Sequence, residues 1–203
     1  MAFVSIALRA QGAGIDVTLI NIAPDASIMA FFKIGVIAGL LLASPILLYQ
    51  IWAYIFPALT QEEKKFALPL FFIIIFFFLG GALFAYFIVV PVVLQFAAGL
   101  WSTTIQVWDL GQYFGFMILL LLGFGIAFEL PIVMAFLAWI DVIDSRGFRE
   151  KQQHAVVVIF ILSALLTPAD PASMFLMAVP LIILYQLGIF FAYLVEQESD
   201  SYA

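Results

Sequence analysis

The chain has 203 residues, of which 67% are hydrophobic and only 10% charged, and its mean hydropathy is +1.23. A soluble core with a polar shell cannot accommodate that balance, so water is not the main solvent for this protein. The formal net charge of −6 does not by itself point to a basic partner, because much of the acid lies in the closing stretch Glu196, Glu198 and Asp200, which reads as a solvated tail. Cysteine is absent, which excludes disulfides, thiol catalysis and cysteine-ligated metals.

Residues 1–8 are apolar but short, have no basic region before them and are followed by Arg9 and the polar turn Gln11-Gly12-Ala13-Gly14, so they do not read as a secretory signal. A membrane span needs about 20 apolar residues at 1.5 Å rise to cross roughly 30 Å of hydrocarbon. Three runs qualify: 28–56, 66–90 and 113–140. A fourth, 155–166, is short, and a fifth, 173–195, is interrupted by Pro180. None alternates with period two, which argues for helices over a transmembrane β-barrel. The fold class is therefore all-α, a polytopic integral membrane protein of about five transmembrane helices with the last two short. A segment 1–24 precedes the membrane domain 25–195, and an acidic tail 196–203 follows it.

Asp25 or Ser27 can cap the first span, Asp144 or Ser145 a helix leading into the fourth, and Asp170 with Pro171 the fifth. The long connection is 91–111, with the interface-seeking Trp101 and Trp108. Lys64 and Lys65 follow the first span, and Arg146, Arg149 and Lys151 follow the third, whereas 91–111 and 167–172 contain no Lys or Arg. The positive-inside rule then puts the basic loops and the C-terminus in the cytoplasm and the N-terminus outside, in the periplasm. An outside start without a signal peptide leads to the expectation that an upstream helix is missing from this chain.

Glu129 lies inside the third span, where an ionised carboxylate costs on the order of 2.5 to 3.5 kcal/mol on insertion scales. It is protonated, paired with a partner chain or facing water, or else bonded to backbone freed by Pro131. Thr60-Gln-Glu-Glu63 has the spacing of a capping box. Glu62 and Glu63 also form an acidic pair beside Tyr54 and Phe56, suited to an arginine-bearing peptide through bidentate guanidinium–carboxylate bonds. Lys33 is expected to snorkel to the outer interface, Pro45 to kink the first span, and Gly80-Gly81 and Gly123-x-Gly125 to allow close helix packing. His154 has no ligand set around it, so no metal site is expected. No nucleotide-binding or hydrolase motif is present, and neither an enzyme activity nor a cofactor is expected.

Several segments together resemble the TatC family, the polytopic core of the twin-arginine protein translocase. They are Ser44-Pro45-Ile-Leu-Leu-Tyr49-Gln50-Ile-Trp52, Phe56-Pro57-Ala-Leu-Thr-Gln-Glu-Glu63-Lys64-Lys65, Gly81-Ala-Leu-Phe-Ala-Tyr86-Phe87 with Pro91, Phe124-Gly125-Ile-Ala-Phe128-Glu129-Leu-Pro131, Leu166-Thr167-Pro168-Ala-Asp170 and Ala178-Val-Pro180. They cover about residues 25–195 in order. The resemblance implies a concave bundle in the cytoplasmic (inner) membrane that receives folded precursors bearing twin-arginine signal peptides. It implies export driven by the proton-motive force, with single-span TatA- and TatB-type partners and homo-oligomers. By motif position Glu63 engages the arginine pair with Tyr54 beside it, and Glu129 is the intramembrane glutamate of the concave face. Thr167 and the start of the fifth span fall where the family docks its single-span partners. Met174 and Gln186 stand there in place of the polar or acidic side chains common in other members. An H-x-x-E-L-R-like motif and a first membrane helix, usual in the family, are not visible before Met1. The alternative functional class is a proton-coupled small-solute transporter with Glu129 as the proton carrier, and a third is a passive membrane scaffold; no nucleic-acid partner is expected.

Overall fold

The computed structural model describes residues 17–20, 26–58, 64–99, 106–167 and 171–200. The chain forms two compact units, residues 1–122 and 123–203. Among the described residues four helices are long and apolar enough to cross a membrane, and a shorter apolar helix accompanies them, as expected for an all-α membrane protein.

In the first unit, helix α1 (Ala26–Ile55) continues into a 3-10 turn at Phe56–Ala58. Its buried positions Ala30, Ile37 and Ser44 recur every seven residues, a single seam along an otherwise outward-facing apolar helix. Pro45 follows the seam residue Ser44 and removes the N–H that Leu41 four residues earlier needs. Ser44 supplies a substitute, its Oγ donating to the Leu41 carbonyl at 2.7 Å. Helix α2 (Lys64–Phe84) returns against α1, with Tyr49 and Phe71 edge to face at 5.7 Å between ring centroids.

The second span does not stop at residue 90, and Pro91 does not open a loop. After α2 comes one π-helical stretch, Ala85–Val89, in which the Val90 N–H bonds to the Ala85 carbonyl, and then α3 (Val90–Gly99). The wide turn lies just before Pro91, whose ring would otherwise press on the carbonyl of the preceding turn. The connection to the next span is thereby shortened.

Two four-residue strands, β1 (Val17–Ile20) and β2 (Gln106–Asp109), pair in parallel with Val17 opposite Gln106. Parallel pairing needs a long crossover, and here both intervening spans provide it. Asp109 then caps α4 (Leu110–Phe128), accepting from the Gln112 N–H at 2.9 Å.

In the second unit the expected third span is broken at Glu129, and α5 (Leu130–Trp139) continues it. A Schellman motif ends α5: the Val142 N–H bonds to the Leu137 carbonyl at 3.0 Å and the Asp141 N–H to Ala138 at 3.1 Å, with Asp141 at φ 55°. Asp144 caps the short helix α6 (Ser145–Glu150), accepting from the Gly147 N–H at 3.2 Å. Helix α7 (Gln152–Leu166) follows, and α8 (Pro171–Asp200) closes the chain. Of the two closing spans expected to be short, only α7 is, at 15 residues. Helix α8 runs for 30 residues straight through Pro180.

Helix α8 packs along α5. Gly188 is the close point: a Cβ there would collide with Met134 Sδ and lie 3.3 Å from the Pro131 Cα. Gly123 is similarly crowded, 3.0 Å from Leu166 Cδ2, as its expected role in close packing requires. Gly80 is not, since nothing lies within 4 Å of a Cβ built there. Gly188→Val is therefore expected to destabilise the protein in detergent by about 1–3 kcal/mol, the usual cost of overpacking. Gly80→Val should leave the unfolding temperature unchanged, and equal effects of the two would contradict this packing.

Candidate functional site

Glu129 sits in a turn set by Pro131. The proline lacks the N–H that would bond to the Ala127 carbonyl, and the Glu129 N–H closes a tight turn on Ile126 at 3.1 Å. Regular bonding resumes from the Val133 N–H to the Glu129 carbonyl at 2.9 Å. The Glu129 side chain does not cap the helix that follows. It is half-buried, on a span of 29 residues, ten residues or about 15 Å of helix before Trp139. The polar group thus stands at the one irregular turn of the span, where local backbone is least able to pack as a plain cylinder.

Tyr54 lies in the last turn of α1 and is 87% exposed, and Phe56 after it is also exposed. An aromatic pair therefore leads out of the first span toward the acidic loop. Glu62 and Glu63, like Thr60 of the expected capping box, lie outside the described residues, as do the candidate caps Asp25 and Asp170.

Thr167 ends α7. Both its N–H, at 3.1 Å, and its Oγ1, at 2.9 Å, donate to the Ser163 carbonyl, while its extended backbone suits the residue before a proline. Met174 is half-buried and Gln186 exposed, both on α8 and about 18 Å apart along its axis. Among the described residues no three His, Asp or Glu side chains gather to hold a metal.

Two polar arrangements escaped the sequence reading. Lys33 does not simply snorkel: its Nζ donates to the Gly111 carbonyl at 2.6 Å, from α1 to the first turn of α4. Gly111 and Gly115 form the slot that admits it, because a Cβ on Gly115 would lie 3.1 Å from Nζ. The G-x-x-x-G spacing at 111–115 is the signal that was available. The second is Glu196, which is not part of a free tail. Its carboxylate accepts from the Ser145 backbone N–H and, at 2.6 Å, from Ser145 Oγ at the start of α6.

A family model described as Sec-independent protein translocase protein (TatC) matches residues 2–180. The chain belongs to the TatC family. It is 34% identical over 203 residues to the Sec-independent protein translocase protein TatC of Azotobacter chroococcum mcd 1, covering 98% of this chain and 78% of that relative. It is 36% identical over 172 residues to the TatC of Desulforapulum autotrophicum, covering 84% of this chain and 64% of the relative. A crystal structure described as the twin arginine translocase receptor TatC superposes with a TM-score of 0.85 at 35% identity, covering 95% of this chain and 84% of that one. The chain is therefore a multi-pass membrane protein of a protein-translocase family, and its helical fold is that of the solved TatC receptor.

The Lys33 seat gives a test of how a charge is held in a span. Gly115→Ala is expected to displace the ammonium by a few tenths of an ångström and weaken its bond to Gly111, costing about 0.5–1.5 kcal/mol. Lys33→Met combined with Gly115→Ala should recover most of that loss in thermal unfolding, whereas additive losses would contradict the seat.

Proposed function

We propose that this chain is the signal-reading receptor and core of a twin-arginine translocase, exporting folded proteins across the cytoplasmic membrane. The observation that carries this reading is the TM-score of 0.85 at 35% identity to a structure described as the twin arginine translocase receptor, over 95% of this chain. In this reading the 62–63 loop captures the arginine pair of a signal peptide. Arginine presents two parallel N–H groups to a carboxylate, and the acidic pair supplies the acceptors. Tyr54, exposed at the end of α1, offers an aromatic face on which a guanidinium can stack. Glu129 provides an intramembrane polar contact for the inserted signal at a later step. Thr167, Met174 and Gln186 mark the region where TatA- and TatB-type single-span partners dock, and copies of the receptor assemble as homo-oligomers. The proton-motive force drives the translocation step. The basic loops 59–65 and 146–151 face the cytoplasm, the C-terminus with them, and the N-terminal segment faces the periplasm.

Glu63→Ala is expected to abolish crosslinking of a twin-arginine signal peptide to the 59–65 loop, without altering membrane insertion. Glu63→Asp should retain a fraction of the yield. Crosslinking at full yield in the Ala variant refutes the assignment of Glu63.

A further inference from the structure

Helix α6 has two sides with different tasks. Ser145 and Phe148 are buried, and Arg146, Arg149 and Glu150 are exposed. The buried side is clamped to α8 at two points: Glu196 receives the Ser145 N–H and Oγ, and Tyr185 Oη donates to the Phe148 carbonyl at 2.8 Å. The carboxylates of Glu196 and Asp144 are thus both engaged by N–H groups at the positive end of α6. On the outer side Arg146, Arg149 and Lys151 share the exposed surface with Glu150 and with the exposed cap Asp144.

Arg149, Glu150, Gln152, Gln153 and Val156 line an open cavity of about 520 Å³ at the junction of α6 and α7. That volume suits a small ligand. Its donors are one guanidinium and two carboxamides. Directly beyond Val156, α7 turns Val157, Val158, Ile161 and Leu165 outward. A pocket with one guanidinium and two carboxamides beside the Glu150 carboxylate therefore heads an exposed apolar strip on one short helix. At 15 residues α7 spans about 22 Å, less than the roughly 30 Å of hydrocarbon, a mismatch that local thinning of the bilayer relieves at modest cost, bringing headgroups closer to the pocket.

We propose that this corner of the second unit is a binding site for an anionic phospholipid, its phosphate held by Arg149 and Arg146 and its acyl chains lying along α7. Arginine suits a phosphate because its planar fork makes paired, charge-assisted hydrogen bonds. The clamp to α8 fixes the backbone from which both arginines project, which lowers part of the ordering cost of binding.

The test uses the full chain purified in mild detergent and titrated with phosphatidylglycerol, with phosphatidylcholine of the same acyl chains, or with inorganic phosphate, read by native mass spectrometry and thermal unfolding. Phosphatidylglycerol alone is expected to bind and raise the unfolding temperature. Arg149→Gln should weaken it about fivefold, and the pair Arg146→Gln with Arg149→Gln about 25-fold, from the usual contribution of each surface cation. Because both side chains are exposed, the unfolding temperature without lipid should not change, and Arg149→Lys should keep more affinity than Arg149→Gln. Equal responses to the two lipids, an unchanged response in the double variant, or full reproduction of the effect by inorganic phosphate would each overturn the proposal. Signal-peptide crosslinking reports on the receptor reading separately, since neither arginine belongs to the 59–65 loop.

Discussion

Hydrocarbon offers no hydrogen bonds, so each backbone group that a proline strands inside a span must find a partner within the protein. The course of this chain follows from how it meets that demand. At Pro45 the neighbouring Ser44 hydroxyl takes the carbonyl of Leu41. Before Pro91 the backbone widens into a π-turn, and the span continues to Gly99. At Pro131 the helix pauses for one tight turn and restarts. The three solutions differ in what they leave behind. At Pro45 the helix continues without interruption, whereas the break before Pro131 places the polar Glu129 at the site of irregularity.

Charges obey the same rule with larger stakes. A lysine near the centre of a span costs on the order of 2.5 to 3.5 kcal/mol on insertion scales, and a charge-assisted hydrogen bond returns roughly 1.5–3 kcal/mol. Lys33 lies toward the end of its span and holds such a bond to Gly111, so its placement is close to neutral in energy while it ties α1 to the start of α4. Glu196 does the corresponding service near the C-terminal end of α8, which at about 45 Å is longer than the hydrocarbon is thick. Polar residues in this protein connect elements that apolar packing alone would leave free to slide.

Much of this was legible in the sequence. Length and hydropathy located the spans, and Pro131 and the Asp144 cap acted where they stand. What escaped depends on distant partners. The strands 17–20 and 106–109 are too short to show alternation and are meaningful only as a pair. Pro91 was read as a helix stop because a π-turn has no local signature. Helix α8 runs on through Pro180 for a different reason, since packing along α5 outweighs the loss of one donor. Lys33 and Glu196 looked like a snorkelling cation and a solvated acid because their acceptor and donor lie 78 and 51 residues away. Of the candidate site, Tyr54 and Glu129 are placed by the fold as an exposed aromatic and an intramembrane acid, while the 62–63 acidic pair rests on motif position.

The receptor reading joins these strands of argument, because it asks a membrane protein to recognise a charged motif at its surface and a polar contact at depth. Its central claim is that carboxylates read the geometry of arginine and not charge alone. The most direct measurement is the affinity of the full chain, in nanodiscs, for one signal peptide carrying Arg-Arg and its Lys-Lys counterpart. Lysine is a point charge without a planar fork, so the account expects the Lys-Lys peptide to bind at least about tenfold more weakly. Equal affinities for the two peptides would contradict it.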